Sequence, residues 1–292
     1  MEPILEVKGL RKTFPGFVLQ DISFSLPRGF IMGLIGPNGS GKSTTMKLIM
    51  NLLKKEAGEV RIGGRDADRH ALAVKQKIGF VYDESCFYGE LTVVEMKKII
   101  APLYQEWDEA AFQDYAGRFQ LPTRKKIKDL SKGTKMKLAL ALALSHRAEL
   151  IIMDEPTAGL DPVMRSELLD VLRELLQDER KGVLFSTHIV TDLDRVADYI
   201  TMINNGKLVF SADKDALMET FGLVKGGRGL LTPELREKLL GLRESSFGFE
   251  GLTIDKVQVA KLLGGQGVIE KPSLEDIMVH LVRGQVDAYI SV

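Results

Sequence analysis

Apolar and polar positions along the chain change rhythm twice, from short alternating runs to a helical stretch and then to continuous apolar strands, which predicts an α/β protein. Ile4 to Val7 and Val18 to Leu26 alternate or cluster apolar residues between turn signals at Pro15-Gly16 and Pro27-Arg28-Gly29, predicting short antiparallel strands in a β layer. Phe30 to Ile35 reads as a buried strand and Ser43 to Leu53 as an amphipathic helix. Gly58 to Gly64 predicts a strand ending in a tight turn, and Lys77 to Tyr82 another. From about Leu91 to His146 the texture is helical, with Val93, Val94, Met96, Ile99 and Ile100 on a helical period, and this stretch reads as a helical insert within the α/β frame. Leu138 to Leu144 is an unbroken Ala/Leu run that predicts a helix buried on every side. The frame resumes at Leu150 to Met153, continuously apolar as a central parallel strand is. A helix from Asp161-Pro162 to about Asp178, a buried strand Gly182 to Thr187 and a helix from about Val190 to Ala197 follow. Tyr199 to Ile203 and Lys207 to Phe210 form a predicted hairpin around Asn204-Asn205-Gly206. Beyond about Ala212 the pattern weakens, and Thr232 to Leu242 and Leu274 to Val282 read as amphipathic helices between glycine-rich turns, a small α/β appendage.

Composition narrows the classes. At 292 residues the chain has room for one large domain and a smaller one, with a sizeable core that needs no disulfides. Forty basic residues balance forty acidic ones, so no global electrostatic case for a nucleic acid exists and no nucleic-acid partner is expected. The lone cysteine, Cys86, excludes an intrachain disulfide framework and reads as core filler in a reducing cytosol. Met1 to Glu6 lacks the basic start and apolar run of a signal peptide, and no stretch approaches the roughly 18 apolar residues of a membrane span. Any membrane role therefore runs through a partner.

The chemistry concentrates at strand ends. Gly36-Pro37-Asn38-Gly39-Ser40-Gly41-Lys42-Ser43-Thr44 matches the pattern G-x-x-x-x-G-K-[ST] in full, between a predicted strand and a predicted helix. A glycine turn of this kind lets successive backbone N–H groups surround a phosphate while the helix presents its positive end. Lys42 is placed to reach the β- and γ-phosphates and the Ser43 hydroxyl to ligate Mg²⁺. Asp154 and Glu155 follow the central strand directly, where ligands bind in open α/β sheets; Asp154 is expected to hold Mg²⁺ opposite Ser43 and Glu155 to act as general base on the attacking water. His188 stands after the next buried strand, and on position alone a γ-phosphate sensor and a structural histidine are equally open. Phe14 and Phe17 lie beside the β layer, where a ring could stack on a purine, although an aromatic in a strand is more often core. Arg124 to Lys137 carries seven basic residues and one acid, ordinarily a solvated face; yet it leads into the buried Ala/Leu helix with Ser131 as N-cap, so an anion at that helix end is a natural hypothesis.

Taken together, the phosphate loop, Leu130-Ser131-Lys132-Gly133-Thr134, Ile152-Met153-Asp154-Glu155-Pro156, Thr157 to Pro162 and Ser186-Thr187-His188 stand in an order that resembles the ATP-binding subunit of an ABC transporter, over about residues 4 to 212. The resemblance implies a P-loop NTPase core with a parallel sheet, an N-terminal antiparallel β layer and a helical subdomain at about 84–148, together an ATPase domain of residues 1–212, leaving 213–292 as a small C-terminal accessory domain. It implies ATP and Mg²⁺ as cofactors and a head-to-tail homodimer or heterodimer that sandwiches two ATP molecules. By position, Gly36, Asn38, Gly39, Ser40, Gly41, Lys42, Ser43 and Thr44 match the phosphate and metal cradle, and Phe14 the aromatic that stacks on adenine. Asp154 and Glu155 match the metal-linked acid and the catalytic base, His188 the switch histidine, and Asp161 the acid that couples the two sites. Ser131 and Gly133 match the residues that touch the γ-phosphate held by the opposite subunit.

Two departures stand out. Lys132 and Thr134 replace a glycine and a glutamine of the usual Leu-Ser-Gly-Gly-Gln signature, and Asp83 stands where a metal-liganding glutamine is usual. A carboxylate at 83 can ligate Mg²⁺ but brings negative charge toward the γ-phosphate. The segment Pro272 to Ile277 resembles the end of drug- and antibiotic-export subunits. The expected function is therefore ATP hydrolysis powering a separate integral-membrane permease, in export of a drug, antibiotic or other small molecule, with the chain cytoplasmic and peripheral at the inner face of the cell membrane. Glu84 to Gly89 and the following helix are expected to form the docking groove, with Phe87 and Tyr88 as contacts. The alternative is a soluble ABC ATPase acting as a scaffold or assembly factor without a permease.

Overall fold

The computed structural model describes residues 2–82, 87–286 and 289–292. Strands β1 (Leu5–Phe14), β2 (Phe17–Leu26) and β3 (Ile31–Ile35) lead to helix α1 (Lys42–Ile49). Next come β4 (Ala57–Ile62), the two-residue β5 (Arg65–Asp66), the short α2 (Ala71–Lys75) and β6 (Ile78–Val81). The helical stretch resolves into α3 (Val93–Ile100), α4 (Glu109–Arg118) and α5 (Lys132–Leu144). Alternation then returns with β7 (Leu150–Asp154), α6 (Pro162–Leu175), β8 (Gly182–Ser186), α7 (Val190–Val196), β9 (Tyr199–Asn204) and β10 (Lys207–Asp213). The remainder comprises α8 (Lys214–Thr220), β11 (Gly222–Gly226), α9 (Pro233–Glu237), β12 (Leu240–Glu244), β13 (Phe249–Thr253), α10 (Lys256–Leu263), β14 (Val268–Glu270) and α11 (Leu274–Arg283).

The large sheet runs β5-β4-β1-β2-β10-β9-β3-β8-β7-β6. Its β9-β3-β8-β7-β6 half is parallel, and β1, β2, β4 and β5 form the antiparallel layer. Strands of the parallel half are buried at nearly every position because both faces are covered. Alternate residues point to opposite sides: Ile31, Ile151 and Phe185 join the Ala/Leu run of α5, while Met32, Leu34, Ile152 and Leu184 pack on Met46, Leu48 and Ile49 of α1. The register then places the chemistry. Ser186 pairs with Leu34 on one side and with Asp154 on the other, so the chain leaves β3, β8 and β7 at one level and three loops meet there.

Each insert helix starts on the cap its sequence supplies: Thr92 with Glu95 as a capping box, Asp108 on α4 and Ser131 on α5. Part of the basic run is a solvated face, since Lys126 and Lys128 pair with Glu90 at 3.1 and 2.8 Å. Among the described residues no helix is long and apolar enough to cross a membrane.

Three expectations change. The helix expected to reach Leu53 ends at Ile49, where Asn51 takes a left-handed φ of 54° and turns the chain toward β4. The β layer is built from two ten-residue strands rather than short ones, since β1 absorbs its register shifts without breaking. The helix expected over Thr232 to Leu242 stops at Glu237, and Leu240–Glu244 pairs with β13 instead. Gly241 marks that switch: its φ is +59°, and a Cβ there would lie 1.8 Å from the His280 carbonyl oxygen of α11.

The second sheet, β12-β13-β11-β14, is antiparallel. Val224 and Phe249 face a small core with Leu235, Val259 and Leu263, whereas Leu223 and Leu252 join the main cluster together with Leu274, Ile277 and Leu281 of α11. The end of the chain returns to the large sheet, where the Ile290 N–H donates to the Val209 carbonyl (2.7 Å) and the Asn204 amide to that of Val286 (3.1 Å).

Candidate functional site

The phosphate loop crosses from β3 to α1 through Gly36, Gly39 and Gly41, with φ of +148°, +77° and +115°. Crowding reinforces the need for glycine at two of them: a Cβ on Gly36 would lie 2.1 Å from the Ile203 carbonyl oxygen, and one on Gly41 2.7 Å from Leu19 Cδ1. Gly41 caps α1 without any side-chain acceptor, so the first N–H groups of the helix are left for an anion. The turn Asn204-Asn205-Gly206 braces the loop from behind, with the Gly206 N–H donating to the Ser40 carbonyl at 2.9 Å.

Lys42 folds back over the loop. Its Nζ donates to the Gly36 and Pro37 carbonyls at 2.8 and 3.2 Å and stands 3.8 Å from Glu155 Oε1. Burial pushes the ammonium pKa below its ordinary value, against the pull of Glu155 and Asp154. On the far side of the cleft Asp154 is buried at the end of β7, and one oxygen, Oδ1, accepts from Ser43 Oγ at 3.2 Å and from Ser186 Oγ at 2.6 Å. Hydroxyl and carboxylate oxygens from three elements thus converge on one point, the donor chemistry of a hard divalent cation such as Mg²⁺.

Glu155 leaves the strand with a left-handed φ of 50°, its N–H held at 3.1 Å by both the carbonyl and the hydroxyl of Ser186. That turn swings its carboxylate back across the cleft. Oε2 accepts from the His188 N–H at 3.3 Å and lies 2.7 Å from His188 Nδ1. The two residues opposite the phosphate loop are therefore one hydrogen-bonded unit.

A cavity of about 410 Å³ lies between, lined by Phe17, Asn38 to Thr44, Glu155, Ala158 and His188. Of the residues singled out from the sequence, the loop residues Asn38 to Thr44, Asp154, Glu155 and His188 come together here. Phe17, rather than Phe14, lines the cavity; the Phe14 ring packs behind it at 6.4 Å with Lys12 Nζ 5.9 Å from its centroid. Ser131 and Gly133 lie outside the cavity, at the start of α5, where the Ser131 hydroxyl accepts from the Thr134 N–H at 3.2 Å. Asp161 also stands apart, exposed, capping α6 by accepting from the Val163 and Met164 N–H groups at 3.0 Å. Asp83, Cys86 and the loop residues Glu84 and Ser85 lie outside the described residues; of the expected docking contacts, Phe87 packs against the core and Tyr88 is exposed.

Sequence reasoning passed over Ser186. It anchors both acids, and its signal was a hydroxyl facing inward at the end of an otherwise apolar strand.

A family model described as ABC transporter matches residues 19–158. The chain is 34% identical over 210 residues to an uncharacterized ABC transporter ATP-binding protein, YdbJ, of Bacillus subtilis (strain 168), covering 71% of this chain and 68% of that one. The chain is 28% identical over 308 residues to the bacitracin transport ATP-binding protein BcrA of Bacillus licheniformis, covering 97% of this chain and 99% of that one. Among solved structures, an ATP-binding subunit of an ABC transporter superimposes with a TM-score of 0.68 at 29% identity, over 74% of this chain and 92% of that one.

Proposed function

The chain belongs to the ABC transporter family and is an ATP-binding, ATP-hydrolysing subunit of a transport system, and from that premise we propose which residues do the work and on what partner. The observation that carries the reading is the Glu155–His188 unit held across a glycine-loop cavity from Lys42. The N–H groups of Gly39 to Thr44 and the Lys42 ammonium bind the β- and γ-phosphates and offset the charge that spreads over the transferring group. Glu155 takes a proton from water as the water oxygen bonds to the γ-phosphorus and the bond to the bridging oxygen breaks, giving ADP and phosphate. His188 keeps the Glu155 carboxylate turned toward the cavity and contacts the γ-phosphate. Adenine stacks on the aromatic pair at the cavity rim, with Phe17 lining the cavity and Phe14 supporting it from behind.

Ser43 and Asp154 would hold Mg²⁺, which neutralises phosphate charge when bound, and Asp83 is proposed as a further oxygen ligand. Replacing Asp83 by Ala is then expected to raise the Mg²⁺ concentration needed for half-maximal hydrolysis. Superimposable Mg²⁺ titrations of variant and parent would remove Asp83 from the site.

A second copy of an ATPase subunit completes the site, with its Ser131 and Gly133 facing the γ-phosphate and Asp161 linking the two halves. The position of Ser131 and Gly133 at an exposed helix start, away from their own chain's cavity, supports this arrangement. We assign residues 213–292 to an accessory unit fastened to the ATPase part through α11. The partner is a separate membrane permease and the cargo an antibiotic or other small molecule moved outward, a reading supported by similarity along nearly the whole chain to a bacitracin transport subunit. Affinity purification of the full chain from gently solubilised membranes is expected to bring down a multi-span protein in stoichiometric amount. Recovery with a soluble partner that stimulates hydrolysis, and no membrane protein, would overturn it.

A further inference from the structure

Helices α6 and α7 carry the two loops that flank Glu155, and they touch through polar side chains. Away from the site the contact is made: Arg173 Nη2 donates to the Arg195 carbonyl at 2.7 Å, and Arg195 Nη2 to the Ser166 hydroxyl at 3.3 Å. Next to the site the two helices meet through an ion pair. Arg165, one turn past the Asp161 cap, places Nε 3.8 Å from Oδ2 of Asp192, which lies in the first turn of α7 after His188. Both atoms are buried, and neither has a hydrogen-bond partner among the described residues.

Asp192 is buried, and the partly exposed Arg165 guanidinium beside it supplies the opposite charge that offsets the cost of burying its carboxylate. We infer that Arg165 and Asp192 form a positioning pair that ties the start of α7 to α6 and so holds His188 against Glu155 for hydrolysis. The inference rests on the roles proposed above for Glu155 and His188.

The test uses the full chain with Asp192→Asn, Asp192→Glu and Arg165→Gln, each alone and in the Glu155→Gln background. Asp192→Asn and Arg165→Gln are expected to lower kcat roughly three- to thirtyfold with KM for ATP changed less than about twofold, the range of coupling that a connecting pair transmits. Asp192→Glu, which keeps the charge and reaches further, is expected to retain most of the parental kcat. In the Glu155→Gln background the neutral variants should need more ATP to form the dimer seen by size-exclusion chromatography. The pair is overturned if kcat and ATP-driven dimer formation match the parent, or if Asp192→Glu loses as much kcat as Asp192→Asn. Should Asp192→Asn fail to fold, Arg165→Gln decides, because its side chain is partly exposed and tolerates the change. If Glu155→Gln alone forms no ATP-dependent dimer, the site reading itself fails; if it does and the added changes leave both readouts untouched, only the positioning pair falls.

Discussion

Lys42→Met abolishes measurable ATP hydrolysis and weakens ATP binding, while the nucleotide-free protein melts no lower than the parent. The first half follows from charge. The cavity faces Glu155 and the Ser43–Asp154 pair on one side and backbone carbonyls of Gly36 and Pro37 on the other, and Lys42 is the cation set among them. Without it the ATP phosphates meet two carboxylates with only amide dipoles in compensation. Loss of one preorganised donor to developing charge costs roughly 10²–10³ in rate, and loss of a full charge at the reacting phosphate is expected to reach the upper end. The second half follows from the direction of the pKa. Burial outweighs the attraction of Glu155 and Asp154, so the folded protein holds this proton less tightly than the unfolded chain does. Below the folded pKa that difference is a cost to the fold, and it fades only as pH rises through the folded pKa toward the ordinary value near 10.5. Removing the ammonium at neutral pH therefore removes a cost, and methionine keeps the apolar stem. Phosphate release, nucleotide titration and thermal melting of the same preparation check both halves. Parental turnover would remove Lys42 from the phosphate site; a collapsed melting temperature would show that the ammonium supports the fold.

How much of this was legible in the sequence depends on whether the cause was local. The glycine loop declares itself because its conformation demands glycine at fixed spacing, and the carboxylates at Asp154 and Glu155 declare themselves because an all-apolar strand ends on them. The helix starts at Ser131 and Asp161 are equally local and legible for the same reason. Features that arise from packing between distant segments were not. Strand β12 was read as helix because Leu239, Leu240 and Leu242 mimic a helical stripe, while the pairing with β13 and the close pass of α11 over Gly241 decide otherwise. Phe17 and Phe14 could not be ranked from a strand pattern, since only the approach of Gly41 shows which ring faces the cavity. The Glu155–His188 bond joins residues 33 apart in sequence, and it became visible only once β7 and β8 lay side by side in register.

Glu155→Gln is expected to separate binding from chemistry. Glutamine preserves the length and planarity of the side chain, and its carbonyl oxygen can still accept the hydrogen bond that His188 N–H gives to Oε2. The left-handed backbone at this position, φ 50°, strains glutamine no more than glutamate, so the loop keeps its course. What changes is proton affinity: an amide cannot take the proton that the attacking water must lose. General-base catalysis of this kind contributes about 10²–10⁴, and hydrolysis is expected to fall by that factor. Binding moves the other way. Glu155 stands 3.8 Å from Lys42, close to where the γ-phosphate must lie, and neutralising it relieves repulsion between carboxylate and phosphate. ATP should then persist in the site and hold two copies of the chain together, each closing the other's phosphate loop with Ser131 and Gly133. Size-exclusion chromatography with light scattering reads this directly, with a dimer in ATP, monomer in ADP, and monomer again when Ser131→Arg is added to block the facing surface. Undiminished turnover in Glu155→Gln would remove Glu155 as the base, and a monomer at saturating ATP would remove the shared site while leaving the phosphate loop intact.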